Sequence, residues 1–379
     1  MGRPALILAA LAADAAPGKN FRGQQKLNLA NGMDALRLRD QNGDHYLFKI
    51  PSSGEAESEL ALERTVLKAM SEVGDSLPFE TPKELGSTRD QNGTLGALFT
   101  EVQGNDPDLT RLAPGAFSKT LADALTAIHN LPLAVVRDAG LPEYDSTAQL
   151  HNKVAELDTI AGLGRIPADL LTRWEEALED IGLFRYHPVV VHGSISKDSI
   201  RVDGQRVVGI TGFSGLKISD PAEDLSWIVG GGLGSTIEDT LLHYRANRPG
   251  TDENLLQRAT LYSELELGSW LVYCVESGDQ EAIAQAEDLI SDLREQLEAG
   301  TLRKLQAASF AGLVSGGMLL QTTEITQVAE VSSVAEPEVE PEIESESEPD
   351  FFEEFASEQE SDGAEPEQKN SEPNPDELF

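Results

Sequence analysis

Apolar residues recur along this chain with two periods, and the change from one to the other divides it. Between about Leu36 and Gly104, short apolar runs are separated by Asn42-Gly43 and Asn92-Gly93, pairs that readily supply the positive φ angles of a type I′ hairpin turn. The runs Tyr46–Ile50 and Leu98–Val102 therefore read as strands. Between the two turns, Leu60, Val66, Leu67, Met70 and Val73 share one face at helical spacing and predict an acidic helix starting near Glu55. Gly104 follows as a hinge. Beyond it, Phe117, Leu121, Leu125 and Ile128 line a helix that ends in His129-Asn130-Leu131-Pro132. Another helix is predicted over Leu170–Ile181, ahead of a strand at Pro188–Val191. The pair Asp203-Gly204 closes a further hairpin, and Ile283, Ala286, Ile290, Leu293 and Leu297 form the seam of a long C-terminal helix.

The ends of the chain follow different rules. Ala5–Ala13 (ALILAALAA) briefly resembles a secretory apolar core, but Asp14 intrudes before the small residues, so a short amphipathic or buried N-terminal helix is the preferred reading. Phe310–Leu320 is apolar but too short to span a bilayer. From Glu330 to Phe379 the chain is rich in Glu, Pro and Ser, with Phe351, Phe352, Phe355 and Phe379 as its aromatic residues. So little apolar surface cannot offset the entropy of ordering, and a disordered acidic tail is expected.

Charge and cysteine narrow the partners. The 379 residues carry a formal net charge of −37, and residues 330–379, with 19 acids and one base, contribute −18 of it. The remaining −19 would still repel phosphate backbones and anionic lipid, which argues against nucleic acid and membrane as partners. The single cysteine, Cys274, excludes an internal disulfide framework and suits a cytoplasmic protein.

The chemistry concentrates in Val189–Leu225, VVVHGSISKDSIRVDGQRVVGITGFSGLKISDPAEDL. This segment resembles the catalytic segment of the aminoglycoside/macrolide phosphotransferases. That family's segment reads H-G-D, four residues, Asn, a short hairpin, and I-D-F followed by a G-D-P-x-x-D-L block. His192-Gly193, Asp220-Pro221 and Asp224-Leu225 stand in their places. Ser194, however, occupies the position of the catalytic Asp, Ser199 that of the metal-binding Asn, and Gly212 that of the metal-binding Asp.

The resemblance spans roughly Ala5–Leu297 and implies an α+β, protein-kinase-like two-lobed fold with a small β-rich N-lobe and a mainly helical C-lobe. The expected division is an N-lobe with its N-terminal helix over 1–103, a C-lobe over 104–300, a linker over 301–329 and the tail over 330–379. Lys49 matches the nucleotide-binding Lys of the third strand, and Glu63 its partner on the following helix. His192, Asp220 and Asp224 match residues that organise the loop.

Phosphoryl transfer rests on positioning and charge neutralisation, with a carboxylate at the acceptor hydroxyl and Mg²⁺ on the phosphates. Ser194 is neutral at pH 7 and cannot act as that base, a loss of about 10²- to 10⁴-fold in rate. A Ser194 nucleophile would require an oriented histidine, and His192, two residues away, is expected to be poorly placed. Ser199 is a weak neutral ligand for a hard cation, and Gly212 offers none. The expectation is a pseudokinase with no intact catalytic residue and no Mg²⁺ site. It would bind ATP or a small molecule, if either, through the Lys49–Glu63 region, and a protein partner through its tail. The competing expectation is an active ATP-dependent phosphotransferase of a small-molecule alcohol, with Asp198 as substitute carboxylate. A third keeps nucleotide binding but performs a different transfer.

Overall fold

Five antiparallel strands in the order β1-β2-β3-β5-β4 form the sheet that carries Lys49. They are β1 (Phe21–Asn28), β2 (Met33–Asp40), β3 (His45–Pro51), β4 (Glu84–Arg89) and β5 (Leu95–Thr100). The computed structural model describes residues 2–28, 32–73 and 77–307, and of 28, 72 and 73 the backbone alone. The tail and most of the 301–329 segment lie outside the described residues, as does the side chain of Val73.

Alternation along β3 decides what each face of this sheet does. Phe48 and Ile50 point to one side with Leu36, Leu38 and Leu98, and are covered by Leu8, Leu11, Ala12 and Ala15 of α1 (Ala5–Ala15). The N-terminal apolar run is thus the lid of a small second core. Gly86 on β4 makes this contact possible: a Cβ there would stand 1.9 Å from the Ala15 carbonyl oxygen. The opposite face carries Lys49, Ala97 and Phe99 toward α2 (Gly54–Val73), whose Leu60, Val66, Leu67 and Met70 are buried as the periodicity predicts.

The hairpins differ from expectation in one respect. Gly43 and Gly93 have φ of 90° and 84°, but their amides donate to Asp40 and Asp90, at 3.1 and 2.9 Å. Asn-Gly therefore fills the last two positions of a turn that begins at an aspartate, one residue longer than a type I′ loop. Each aspartate also accepts from the amides of Asn42 and Asp44, or of Asn92 and Thr94, which closes the turn through its side chain. In the third hairpin, Asp203 pairs with Arg206, so the two loop residues are Gly204 and Gln205.

After β5 the chain is pinned rather than free. The Asn105 and Val202 amides donate to each other's carbonyl oxygens at 2.8 Å, and a Cβ on Gly104 would meet the Val202 carbonyl at 3.1 Å. The mainly helical part comprises α3 (Ala116–His129), α4 (Ala134–Asp138), α5 (Ser146–Gly162), α6 (Ala168–Glu179), α7 (Ala222–Gly231), α8 (Gly234–Asn247), α9 (Leu255–Ser277) and α10 (Gln280–Glu298). The helix expected over Leu170–Ile181 runs Ala168–Glu179, and Ile181 opens a separate 3₁₀ turn capped by Asp180. Short strands β6 (Val189–Val191), β7 (Ile200–Asp203), β8 (Arg206–Ile210) and β9 (Lys217–Ser219) pair as β6–β9 and β7–β8. They hold the His192–Ser199 loop and the Thr211–Leu216 segment side by side. Among the described residues, no helix is long and apolar enough to cross a membrane.

Candidate functional site

Lys49 and Glu63 meet across the gap between β3 and α2. The Lys49 ammonium lies 3.0 and 2.9 Å from the two carboxylate oxygens of Glu63 and 5.5 Å from the centroid of the Phe99 ring. Both side chains are mostly buried, so the pair holds a cation at a fixed point on the sheet. The same helix packs against the short turn Phe213–Gly215.

The loop after β6 is organised by a single carboxylate. Asp224, fully buried on α7, accepts from the His192 amide at 2.7 Å, the Gly193 amide at 2.8 Å and His129 Nε2 at 3.0 Å. Burial works against its charge, but the imidazole and the backbone donors prevail and hold its carboxyl below the usual range. His129 is fixed in turn by the Tyr244 hydroxyl, 2.6 Å from its Nδ1. Asp220 is braced separately, by Arg258 at 2.6 and 3.0 Å and by the Tyr262 hydroxyl at 2.8 Å. Asp224 thus braces the loop, as the resemblance implies, whereas Asp220 accepts from the Ala222 amide at 2.9 Å at the start of α7 and makes no hydrogen bond to that loop among the described residues. His129, Arg258 and Tyr262 carry no sequence signal as their partners; the chain brings them in from 38 to 95 positions away.

His192 is fully buried, and burial lowers the basicity of its imidazole. Its Nε2 lies 3.0 Å from the Thr211 carbonyl oxygen. A carbonyl can only accept, so Nε2 carries the proton and Nδ1 presents a lone pair. Contrary to the sequence expectation, the left-handed Gly193 (φ 75°) turns the chain back far enough to put Ser194 Oγ 3.3 Å from that Nδ1. The serine proton is shared with the Gly212 carbonyl oxygen at 3.2 Å, and the contact to a buried, weakened imidazole does not make a nucleophile.

The two remaining positions face each other. A Cβ built on Gly212 (φ 78°) would stand 3.9 Å from the Ser199 Cβ and meet nothing closer. Ser199 is buried, and its hydroxyl is spent within its own loop, donating to the Ser196 carbonyl at 3.0 Å and accepting the Ser196 amide at 2.8 Å. Neither position therefore offers an oxygen to the space between them: one has no side chain and the other turns its oxygen inward. Asp198 is exposed, and its carboxylate has no hydrogen-bond or ion-pair partner among the described residues. It does not cap its turn.

The sequence matches the phosphotransferase enzyme family over residues 28–266. The chain belongs to that family. Among solved structures, a macrolide 2′-phosphotransferase type I is 22% identical, with a TM-score of 0.62, and the match covers 75% of this chain and 96% of that one. Macrolide 2′-phosphotransferase MphH from Brachybacterium faecium is 17% identical at a TM-score of 0.63, covering 75% and 97%. The GDP and kanamycin complex of APH(2″)-IIIa is 18% identical at a TM-score of 0.64, covering 77% and 99%. At these identities the structures establish the fold: a kinase-like phosphotransferase with an antiparallel N-lobe sheet and a helical C-lobe. No curated protein matches the chain.

Proposed function

We propose that this phosphotransferase-family chain is a pseudokinase, a binding or scaffolding protein without phosphoryl transfer. The observation that supports this most strongly is the pair Ser199 and Gly212. They face each other where ligands for a hard cation would converge, with one hydroxyl consumed inside its loop and the other side chain missing. Ser194 compounds the loss, since its hydroxyl points its proton inward and carries no charge to take up another.

Lys49 and Glu63 support a retained role in holding a nucleotide or an anionic small molecule, because their pair would place a cation against a phosphate. Similar solved structures are complexes with GDP and kanamycin, or with streptomycin and ATP, and give the ligand classes to try. Cytoplasmic location and the lobe, linker and tail division of the sequence reading belong to this proposal. So does an interaction role for the acidic tail, whose Phe351, Phe352 and Phe355 would present rings to a basic groove with an apolar floor.

A second reading has one observation in its favour. The Asp198 carboxylate is unpartnered and exposed in the loop, so it is available as a substitute base or ligand. Purified protein assayed with Mg-ATP against aminoglycosides, macrolides and amino alcohols decides between them. No turnover is expected. Turnover that disappears on Asp198→Ala would establish the second reading.

A further inference from the structure

A concavity of about 730 Å³ opens on the helical part of the molecule, away from the Lys49–Glu63 pair and lined in part by Arg185, Tyr186, His187, Pro221, Arg248 and Asp252. Its electrostatics run against those of the molecule. Outside the tail the chain carries −19, yet two guanidinium groups and an imidazole line this one pocket. The single carboxylate among its lining residues is already committed: Asp252 receives the Arg258 guanidinium on both oxygens, at 2.7 and 3.0 Å. Arg185 and His187 are exposed, and neither side chain has a hydrogen-bond or ion-pair partner among the described residues.

Arg248 is the preorganised member. Its Nη1 donates to the His129 carbonyl oxygen at 2.6 Å and to Asn130 Oδ1 at 3.1 Å. That anchors the guanidinium at the pocket wall and leaves its other nitrogens uncommitted among the described residues. A planar guanidinium held on one side presents its remaining N–H pair to an oxyanion with little further loss of freedom. Together with Arg185, unpartnered among the described residues, it gives the concavity two guanidinium groups, which match a phosphate whose oxygens accept bidentate pairs. An unpaired guanidinium on an acidic protein gains from an anion and has no other described partner to gain from.

We propose that this pocket binds a small phosphate-bearing molecule, through Arg185 and Arg248, independently of Lys49. Arg185 supplies the uncompensated charge and Arg248 the fixed geometry. His187 lies at the same rim, and Tyr186 and Pro221 provide apolar wall. The source of the phosphate, inorganic or carried on an organic group, is left to the arms of the test.

The test is calorimetric titration of full-length protein with inorganic pyrophosphate, and in a parallel arm with a sugar monophosphate. It uses wild type, Arg185→Glu, Arg248→Lys and Lys49→Ala at low ionic strength, where surface charge is least screened. Arg185→Glu touches no internal contact, and circular dichroism should show an unchanged fold. The expected result is saturable binding that weakens at least tenfold in Arg185→Glu and at least threefold in Arg248→Lys, and is unchanged in Lys49→Ala. Binding that vanishes in Lys49→Ala and survives Arg185→Glu would place the anion at Lys49 and overturn the proposal. Absence of saturable binding in both arms would overturn it as well. Neither result bears on phosphoryl transfer, so this site and the pseudokinase reading fail separately.

Discussion

His129 and Asp224, 95 positions apart in sequence, share a buried hydrogen bond of 3.0 Å that fixes the loop carrying Ser194. The carboxylate oxygen that faces the imidazole also accepts the His192 amide, and its neighbour accepts that of Gly193. Removing the carboxylate would leave two backbone donors and the Nε2 of His129 without partners in the interior. Asp224→Ala is therefore expected to cost about 3–5 kcal/mol. His129→Phe, which keeps the volume but removes the donor, should cost less. Thermal and denaturant unfolding measure both.

Gly193 and Gly212 both have positive φ but should respond differently to alanine. At Gly193 a Cβ would stand 2.4 Å from the Gly215 carbonyl oxygen, so backbone must move in addition to the strained φ. The sum of left-handed strain and overpacking is about 2–5 kcal/mol. Gly212 has open space, and the strain of Gly212→Ala is partly offset by a less flexible unfolded chain, leaving about 1 kcal/mol. Equal losses at the two positions would contradict this local geometry.

A pH dependence follows from His192. Its pKa in the fold lies below the ordinary 6.5, because burial disfavours the charged imidazole. The unfolded chain therefore takes up a proton below that pH before the folded protein does. Stability contributed by neutral His192 is complete above pH 6.5 and declines as pH falls toward the folded value. Glu223 acts in the opposite sense, since burial raises its carboxyl. The useful quantity is thus the difference between wild type and His192→Gln. The variant should show a flatter stability profile as pH falls below about 6.5. Parallel profiles would mean that His192 titrates normally.

Much of this architecture is legible in the chain because its signals are local. The period-3.6 face of α2, the buried face Phe117, Leu121, Leu125 and Ile128 of α3, and the motif His192 to Leu225 each rest on spacing or on contiguous residues. The meeting of Lys49 with Glu63, which the family resemblance implies, is seen at 2.9 Å. What spacing cannot carry is who satisfies a buried charge. His129 reads as the end of a helix and Arg258 as one charge on α9, yet each completes an aspartate's hydrogen bonding. The approach of Ser194 to His192 also escaped, because it depends on the φ of Gly193 rather than on residue type. Asp40 and Asp90 lie outside the Asn-Gly signal, yet each closes its turn from two positions before the asparagine.

Restoring the absent groups should restore metal sensitivity before it restores activity. In Ser194→Asp/Ser199→Asn/Gly212→Asp, two oxygen-bearing side chains would start from Cβ positions about 3.9 Å apart and converge on one site. Aspartate tolerates a left-handed φ better than most residues, so the change at Gly212 should fold. The triple variant is expected to bind ATP more tightly with Mg²⁺ than with chelator. Phosphoryl transfer need not follow, because it also requires an acceptor positioned in line.

The most direct test of the central claim is calorimetric titration of the wild-type protein with ATP, once with Mg²⁺ and once with chelator. With Ser199 turned inward and Gly212 bare, the two affinities should be weak and agree within about threefold, a difference below 1 kcal/mol. A gain of tenfold or more on adding Mg²⁺, abolished by Asp198→Ala, would show that this loop still assembles a metal site and would contradict the pseudokinase account.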